Sequence, residues 1–184
     1  MTISYSLPRK SALLCRLRVT SLPGQRAQGR LTAGATVIRC ALGPAGIVAT
    51  KREGDGATPM GRFAILYGHF RPDQKLRPGG LNMVPQRRVD GWSDDIRSGQ
   101  YNRPVRLPHR LSHEAMWRND RLYDTVFVLD YNIRPRVIGR GSAIFFHLAR
   151  PDYAPTAGCI AISAQDMRRL LPRLSRRAAL CVEK

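Results

Sequence analysis

The hydrophobic positions of this chain fall into short runs separated by turn residues. β-branched and aromatic residues are concentrated in the clearest runs, which are bounded by glycine, proline or polar residues and are typical of strands. These runs cover 36–42, 63–67, 123–129 and 143–148. Weaker or shorter runs, also predicted as strands, cover 13–19, 47–49, 158–162 and 178–182.

Helical signals are few. Ser163 is followed three positions later by Asp166, which resembles a capping box, and Pro172 ends the helix that begins there. A second short helix is predicted at 112–118. Few helices among many short strands predict a mainly β domain.

The remaining segments set the domain organisation. Residues 1–12 are predicted as a polar tail and 13–184 as a single domain, in keeping with a length of 184 residues. The segment at 71–120 is rich in proline and is predicted to be irregular and to cover a cleft. Its prolines are Pro72, Pro78, Pro85, Pro104 and Pro108.

The net charge of the chain limits the classes of partner to be expected. The chain has 31 Lys and Arg against 13 Asp and Glu, a net charge of +18, which favours an anionic partner such as nucleic acid, a membrane surface or a carboxylate-rich polymer. No apolar run is long enough to span a membrane, and no signal peptide is visible.

Cysteine and histidine spacing gives no sign of a metal site. The sequence has no Cys-x-x-Cys pair, and His69, His109 and His113 lack ligand spacing. We therefore expect neither a metal nor a cofactor. Strand context suggests that the remaining thiols are buried and structural; these are Cys15, Cys40 and Cys181.

One pair of residues carries candidate chemistry. His147 ends a predicted buried strand, and Cys159 begins the next one. On neighbouring strands the imidazole can take the thiol proton, before or during attack on a carbonyl. A thiolate formed in this way would make Cys159 the thiol most reactive toward alkylation.

The flanking residues complete this candidate site. Gly158 lets the backbone approach closely, so the N–H groups of Cys159 and of Gly158 or Ala157 are predicted to bind the developing oxyanion. The backbone carbonyl near Leu148 is the predicted acceptor that orients the imidazole of His147.

Together these motifs resemble the L,D-transpeptidase (YkuD-type) catalytic domain. The resemblance lies in His147 followed by Thr156-Ala-Gly-Cys-Ile, and in the upstream element Lys51-Arg-Glu-Gly-Asp-Gly-Ala-Thr-Pro-Met-Gly-Arg-Phe, in family order. It covers roughly 35–183. It implies a β-sandwich or barrel-like fold, with Cys159 as nucleophile, His147 as base and Gly158 in the oxyanion loop.

The resemblance also implies a reaction. The family cross-links peptidoglycan stem peptides through a thioester, with diaminopimelate as donor (3-3 linkage) or, in one branch, L-Ala (1-3 linkage), and an amine as acceptor. It implies a periplasmic location, and we expect a monomer. Predicted substrate contacts near the cleft are Arg150, Tyr153, Thr156, Ala157, Arg140, Tyr101 and Asn102.

Departures from the family pattern keep alternatives open. Ala157 stands where the family usually has His, and Ala161 where a polar residue is common. The alternatives are a carboxypeptidase or amidase that uses water as acceptor, a basic nucleic-acid-binding module and a non-catalytic wall-binding domain. Specific nucleic-acid binding is disfavoured because the arginines are scattered and no nucleic-acid-binding motif is present.

Overall fold

The computed structural model describes residues 13–74 and 80–184. The predicted tail at 1–12 and part of the proline-rich segment, 75–79, lie outside these ranges. The strands are β1 Leu14–Leu22, β2 Gln25–Ala33, β3 Thr36–Ala41, β4 Ile47–Val48, β5 Thr58–Pro59, β6 Gly61–Phe70, β7 Met83–Pro85, β8 Asp90–Ser93, β9 Arg103–Arg106, β10 His113–Ala115, β11 Thr125–Leu129, β12 Phe145–Leu148, β13 Ile160–Ile162 and β14 Leu174–Glu183. The helices are α1 Ala164–Leu170 and a 3₁₀ turn at Leu171–Arg173.

The main sheet closes on itself. Its order is β11-β12-β13-β3-β2-β1-β14-β6, and β6 pairs back with β11 while β7 adds to β6. Most pairs are antiparallel, but β12 with β13, β1 with β14 and β6 with β7 are parallel. The predicted mainly β, barrel-like fold with few helices is thus confirmed.

The inner core fills this closed sheet. Each of its eight strands contributes apolar side chains at alternate positions, such as Leu17, Phe127 and Phe146, as expected from the two-residue period of strands. Helix α1 adds Met167 and Leu170 to the same core. The Ser163 hydroxyl accepts a hydrogen bond from Asp166 N–H at 3.0 Å, which confirms the predicted cap.

A second apolar cluster lies outside the barrel. The strands β11 and β12 are buried on both faces, and their other face packs beneath a three-stranded sheet of order β10-β8-β9. We call this the outer cluster; its members are Trp92, Met116, Leu122, Tyr123, Val126, Val128, Phe145 and Cys159. The segment predicted as irregular therefore supplies short strands that cover one face of the barrel.

Two local predictions are wrong. The helix expected at 112–118 is absent, since His113–Ala115 forms β10 and pairs with β8. Cys15 is exposed, whereas Cys40 and Cys181 are buried as expected. In the described ranges no helix is long and apolar enough to cross a membrane.

Candidate active site

Strand register brings the predicted nucleophile and base to one face of the sheet. The parallel pair of β12 and β13 aligns Phe146 with Ile160 and His147 with Ala161. Cys159 directly precedes β13, and its Sγ accepts a hydrogen bond from Phe145 N–H at 3.3 Å. Side chains alternate along a strand, so Phe145 and His147 point to the same side as Cys159.

The thiol is buried and protonated. Its Sγ donates to the Ala143 carbonyl at 3.2 Å, and Cys159 is only 6% exposed. Burial raises its pKa to about 12 against the opposing hydrogen bond from Phe145. The raised pKa opposes the predicted high reactivity of Cys159 toward alkylation, which stays a prediction, and the exposed thiol of Cys15 is the more accessible of the two.

The geometry of His147 defines its tautomer. Nδ1 lies 2.9 Å from the Leu148 carbonyl oxygen. A carbonyl can only accept, so Nδ1 carries the proton and Nε2 keeps its lone pair. Burial lowers the pKa of His147 to about 4 despite the Leu148 contact. A neutral imidazole with a free Nε2 and a neutral thiol therefore form the resting pair.

Tyr123 supports the imidazole and was missed by the sequence analysis as a site residue. Its ring packs edge-on against His147, with centroids 5.1 Å apart, and the Arg118 guanidinium lies 5.0 Å from the same ring. Burial raises the pKa of Tyr123 well above its usual value. The phenol therefore stays neutral beside His147 and Cys159.

The turn before Cys159 requires glycine. Gly158 has a φ of 126°, and a Cβ at this position would lie 2.5 Å from the Ala57 carbonyl oxygen. Its N–H donates to Thr156 Oγ1 at 3.1 Å, and the same hydroxyl donates to the Cys159 carbonyl at 2.7 Å. Because the Gly158 N–H is used within the turn, Cys159 and Ala157 remain the candidate oxyanion donors.

The segment 51–57 supplies a second wall of the site through Glu53, Gly54 and Gly56. The Asp55 carboxylate accepts hydrogen bonds from Arg52 N–H at 2.7 Å, from Ala57 N–H at 2.8 Å and from Lys51 Nζ at 2.7 Å. Burial alone would raise the pKa of Asp55, but these hydrogen bonds outweigh it and lower that pKa. The segment is thus held as a rigid turn beside Gly158.

The pair opens into a cavity of about 310 Å³. His147 and Cys159 line it, together with Glu53, Gly54 and Gly56. The charged residues around it are three carboxylates and two guanidinium groups. They belong to Glu53, Asp94, Glu114, Arg118 and Arg150.

The predicted substrate contacts divide into two groups. Arg150, Thr156 and Ala157 line the cavity. Tyr153 and Arg140 are not among the residues that line it: the Tyr153 ring lies 4.5 Å from the Arg39 guanidinium, and Arg140 is exposed. Their side chains therefore lie away from the cavity wall.

The remaining two, Tyr101 and Asn102, correct the prediction that they cap the cleft. Both are buried, at 0% and 2% exposure. The Tyr101 hydroxyl donates to Glu53 Oε2 at 2.5 Å, and the Asn102 side chain accepts from Trp92 Nε1 at 2.9 Å and from Ala143 N–H at 3.1 Å. They brace the walls of the cavity from within the protein.

Comparison with known proteins identifies the family. No curated protein matches this chain. The L,D-transpeptidase catalytic domain family (YkuD) matches residues 20–182, nearly the whole chain, and the match includes the site described above. The family implies a cell-envelope enzyme with peptidoglycan substrates. The chain is therefore a member of the L,D-transpeptidase catalytic domain family.

Proposed function

We propose that this chain is a cysteine L,D-transpeptidase that cross-links peptidoglycan stem peptides through a thioester on Cys159. The observation that carries the proposal is the Nδ1 contact of His147 with the Leu148 carbonyl at 2.9 Å. It leaves Nε2 as a base beside the cavity that Cys159 also lines. As part of the proposal, the enzyme acts in the periplasm.

The neutral resting pair favours proton transfer during attack. As Sγ bonds to the donor carbonyl carbon, its proton passes to His147 Nε2, and the carbonyl oxygen becomes an oxyanion near the Cys159 N–H. The intermediate then collapses, the donor C–N bond breaks, and the leaving amine takes the proton from His147. A thioester on Cys159 remains.

The second half of the reaction reverses these roles. An acceptor amine attacks the thioester carbon, His147 removes a proton from that amine, and the proton returns to Sγ when the C–S bond breaks. Water in place of the amine gives the carboxypeptidase. We propose diaminopimelate as donor, with L-Ala as the alternative.

The test uses purified disaccharide tetrapeptide and pentapeptide with the full chain and with Cys159→Ala. Mass spectrometry of the products separates the outcomes. A cross-linked dimer that requires Cys159 supports the transpeptidase, and fragmentation identifies the donor carbonyl. Trimmed monomers alone would replace the transpeptidase by a hydrolase. No change with either stem would refute the proposal.

A further inference from the structure

Lys51 is a buried cation close to the nucleophile that the mechanism above does not use. It is 3% exposed, and it is the only Lys or Arg among the buried residues of ranges 13–74 and 80–184. Its Nζ donates to Asp55 Oδ1 at 2.7 Å and to the Arg52 carbonyl at 3.3 Å. The Asp55 side chain is 25% exposed, against 2% for that of Lys51.

The Lys51 side chain contacts both backbone segments that hold the thiol. A Cβ on Gly158 would lie 3.3 Å from Nζ, and a Cβ on Gly141 would lie 2.9 Å from Cε. Gly158 directly precedes Cys159, and Gly141 lies two residues before Ala143, whose carbonyl accepts the thiol proton. The absence of a Cβ at both glycines therefore leaves room for the Lys51 side chain beside the site.

A purely structural role does not require a charge at this position. Burying an ammonium is costly, and buried ion pairs are often replaced by apolar residues without loss of stability. A charge has a use here because negative charge develops on Sγ and on the carbonyl oxygen during acyl transfer, and Cys159 directly follows Gly158. A fixed cation in a site with little water stabilises such charge strongly.

We propose that Lys51 is a positioning residue for acyl transfer. Its ammonium, held by Asp55 behind the turn that precedes Cys159, stabilises the negative charge that forms at Cys159 and on the bound carbonyl oxygen. This inference rests on the proposed transpeptidase function. In support, the charge of Lys51 acts to lower the pKa of Cys159, against the larger effect of burial.

The test compares variants of the full chain. Lys51→Met together with Asp55→Asn removes the cation without leaving an unpaired carboxylate. Arg52→Met is the matched control, since it removes the same charge from an exposed position of the same turn. Asp55→Asn alone removes the carboxylate that neutralises Lys51 and is expected to act in the opposite direction.

The first readout is the rate of Cys159 alkylation by iodoacetamide against pH, followed by peptide mapping so that Cys15 does not interfere. It needs no substrate. The other ionisable groups near the thiol are the same in wild type and in every variant. They are His147, Glu114, Arg118 and Tyr123. The double variant should move the profile up by about one pH unit, which is about tenfold at fixed pH.

The second readout is acylation by disaccharide tetrapeptide. We expect the double variant to lower kcat about tenfold to a hundredfold with little change in KM, because the charge acts on the transition state. Arg52→Met should stay within about twofold in both readouts, since exposed charges are screened. Asp55→Asn should alkylate about threefold faster than wild type at fixed pH.

A folded double variant with the wild-type alkylation profile would overturn the inference. If the double variant does not fold, Asp55→Asn decides: faster alkylation supports the role of Lys51, and an unchanged or slower rate contradicts it. A wild-type chain that no stem acylates would refute the proposed function, while the alkylation series would still test the charge of Lys51.

Discussion

The two faces of strand β12 show how one short strand serves both stability and chemistry. Phe146 and Leu148 face the inner core, a cluster of apolar side chains. Phe145 and His147 face the opposite way, toward the outer cluster that contains Cys159 and Tyr123. Both faces are buried, but the outer one lies against the cavity that His147 and Cys159 line.

The difference between the two faces of β12 shows where the barrel accommodates polar atoms. Polar groups inside the closed sheet would have few partners, and an unpaired buried polar group is costly. On the outer face, loops between strands supply partners, such as the Ala143 and Leu148 carbonyls. Substitutions on the two faces should therefore differ in their effects on activity and stability.

The largest effect should come from replacing one cysteine on each face by alanine. Cys159→Ala removes the nucleophile and should lower acyl transfer at least about a thousandfold, with little change in Tm. Cys40→Ala, in the inner core at 0% exposure, should keep activity and lose about 1–2 kcal/mol of stability. Product formation and thermal unfolding measure the two effects. Turnover by Cys159→Ala would show that the reactive face is misassigned.

Neighbouring positions of β12 should separate in the same way. His147→Gln should lower acylation about 10²–10⁴-fold, because general base catalysis contributes about that much. Phe146→Leu, one residue earlier and facing the inner core, should cost about 1–2 kcal/mol of stability and keep kcat. Acylation kinetics and denaturant unfolding are the measurements. Acylation at wild-type rate by His147→Gln would remove His147 from the mechanism.

Glycine substitutions should show that the contact with the Ala57 carbonyl constrains the turn before Cys159. Gly158→Ala forces a Cβ to within 2.5 Å of the Ala57 carbonyl oxygen at a positive φ, so we expect a loss of about 2–4 kcal/mol in stability and of most activity. Gly54→Ala also has a positive φ, but nothing lies within 4 Å of its Cβ position. It should cost only about 1 kcal/mol. Equal Tm losses would contradict the role of the Ala57 contact.

The smallest effect concerns pH. Between pH 6.5 and 4 the imidazole of His147 binds a proton in the unfolded chain but not in the folded one, because burial lowers its pKa from 6.5 to about 4. Stability therefore falls as pH falls through this window, by up to about 3 kcal/mol. The difference between wild type and His147→Gln isolates this contribution in denaturant unfolding. A pH-independent difference would indicate a normal histidine pKa.

The sequence predicted individual strands where the local pattern was strong, and the barrel-like fold was implied by the family resemblance. Strands such as β3, β6 and β11 have apolar, β-branched runs. Ser163 and Asp166 predicted the cap of α1 in the same way. Strand β2, Gln25–Ala33, was missed because its polar residues hide an alternation in which only Gly29, Leu31 and Ala33 are buried. Its pairing with β1 and β3 decides its structure.

Non-local pairing also explains the errors at 71–120. The sequence His113–Ala115 is compatible with a helix, and only its pairing with β8 makes it a strand. Pro104 argued against regular structure, but it lies in β9, an edge strand of the small sheet where its missing N–H is tolerated. Local patterns contain no information about such partners.

The candidate site shows the same division. Cys159 and His147 were predicted because they flank one loop and match a motif. The residues that surround them, such as Tyr123, Glu114 and Arg118, arrive by packing of the outer sheet and show no motif of their own. Lys51 and Asp55 lay within a recognised element, but only their burial beside Gly158 indicates a role.

The protonated state of Cys159 has a consequence for oxidative damage. Peroxides oxidise thiolates far faster than thiols, and the first product, a sulfenic acid, leads to irreversible forms. Cys159 is 6% exposed and hydrogen-bonded as a thiol to the Ala143 carbonyl, and both features slow its reaction with peroxides. The exposed thiol of Cys15 is therefore the one that oxidants reach first.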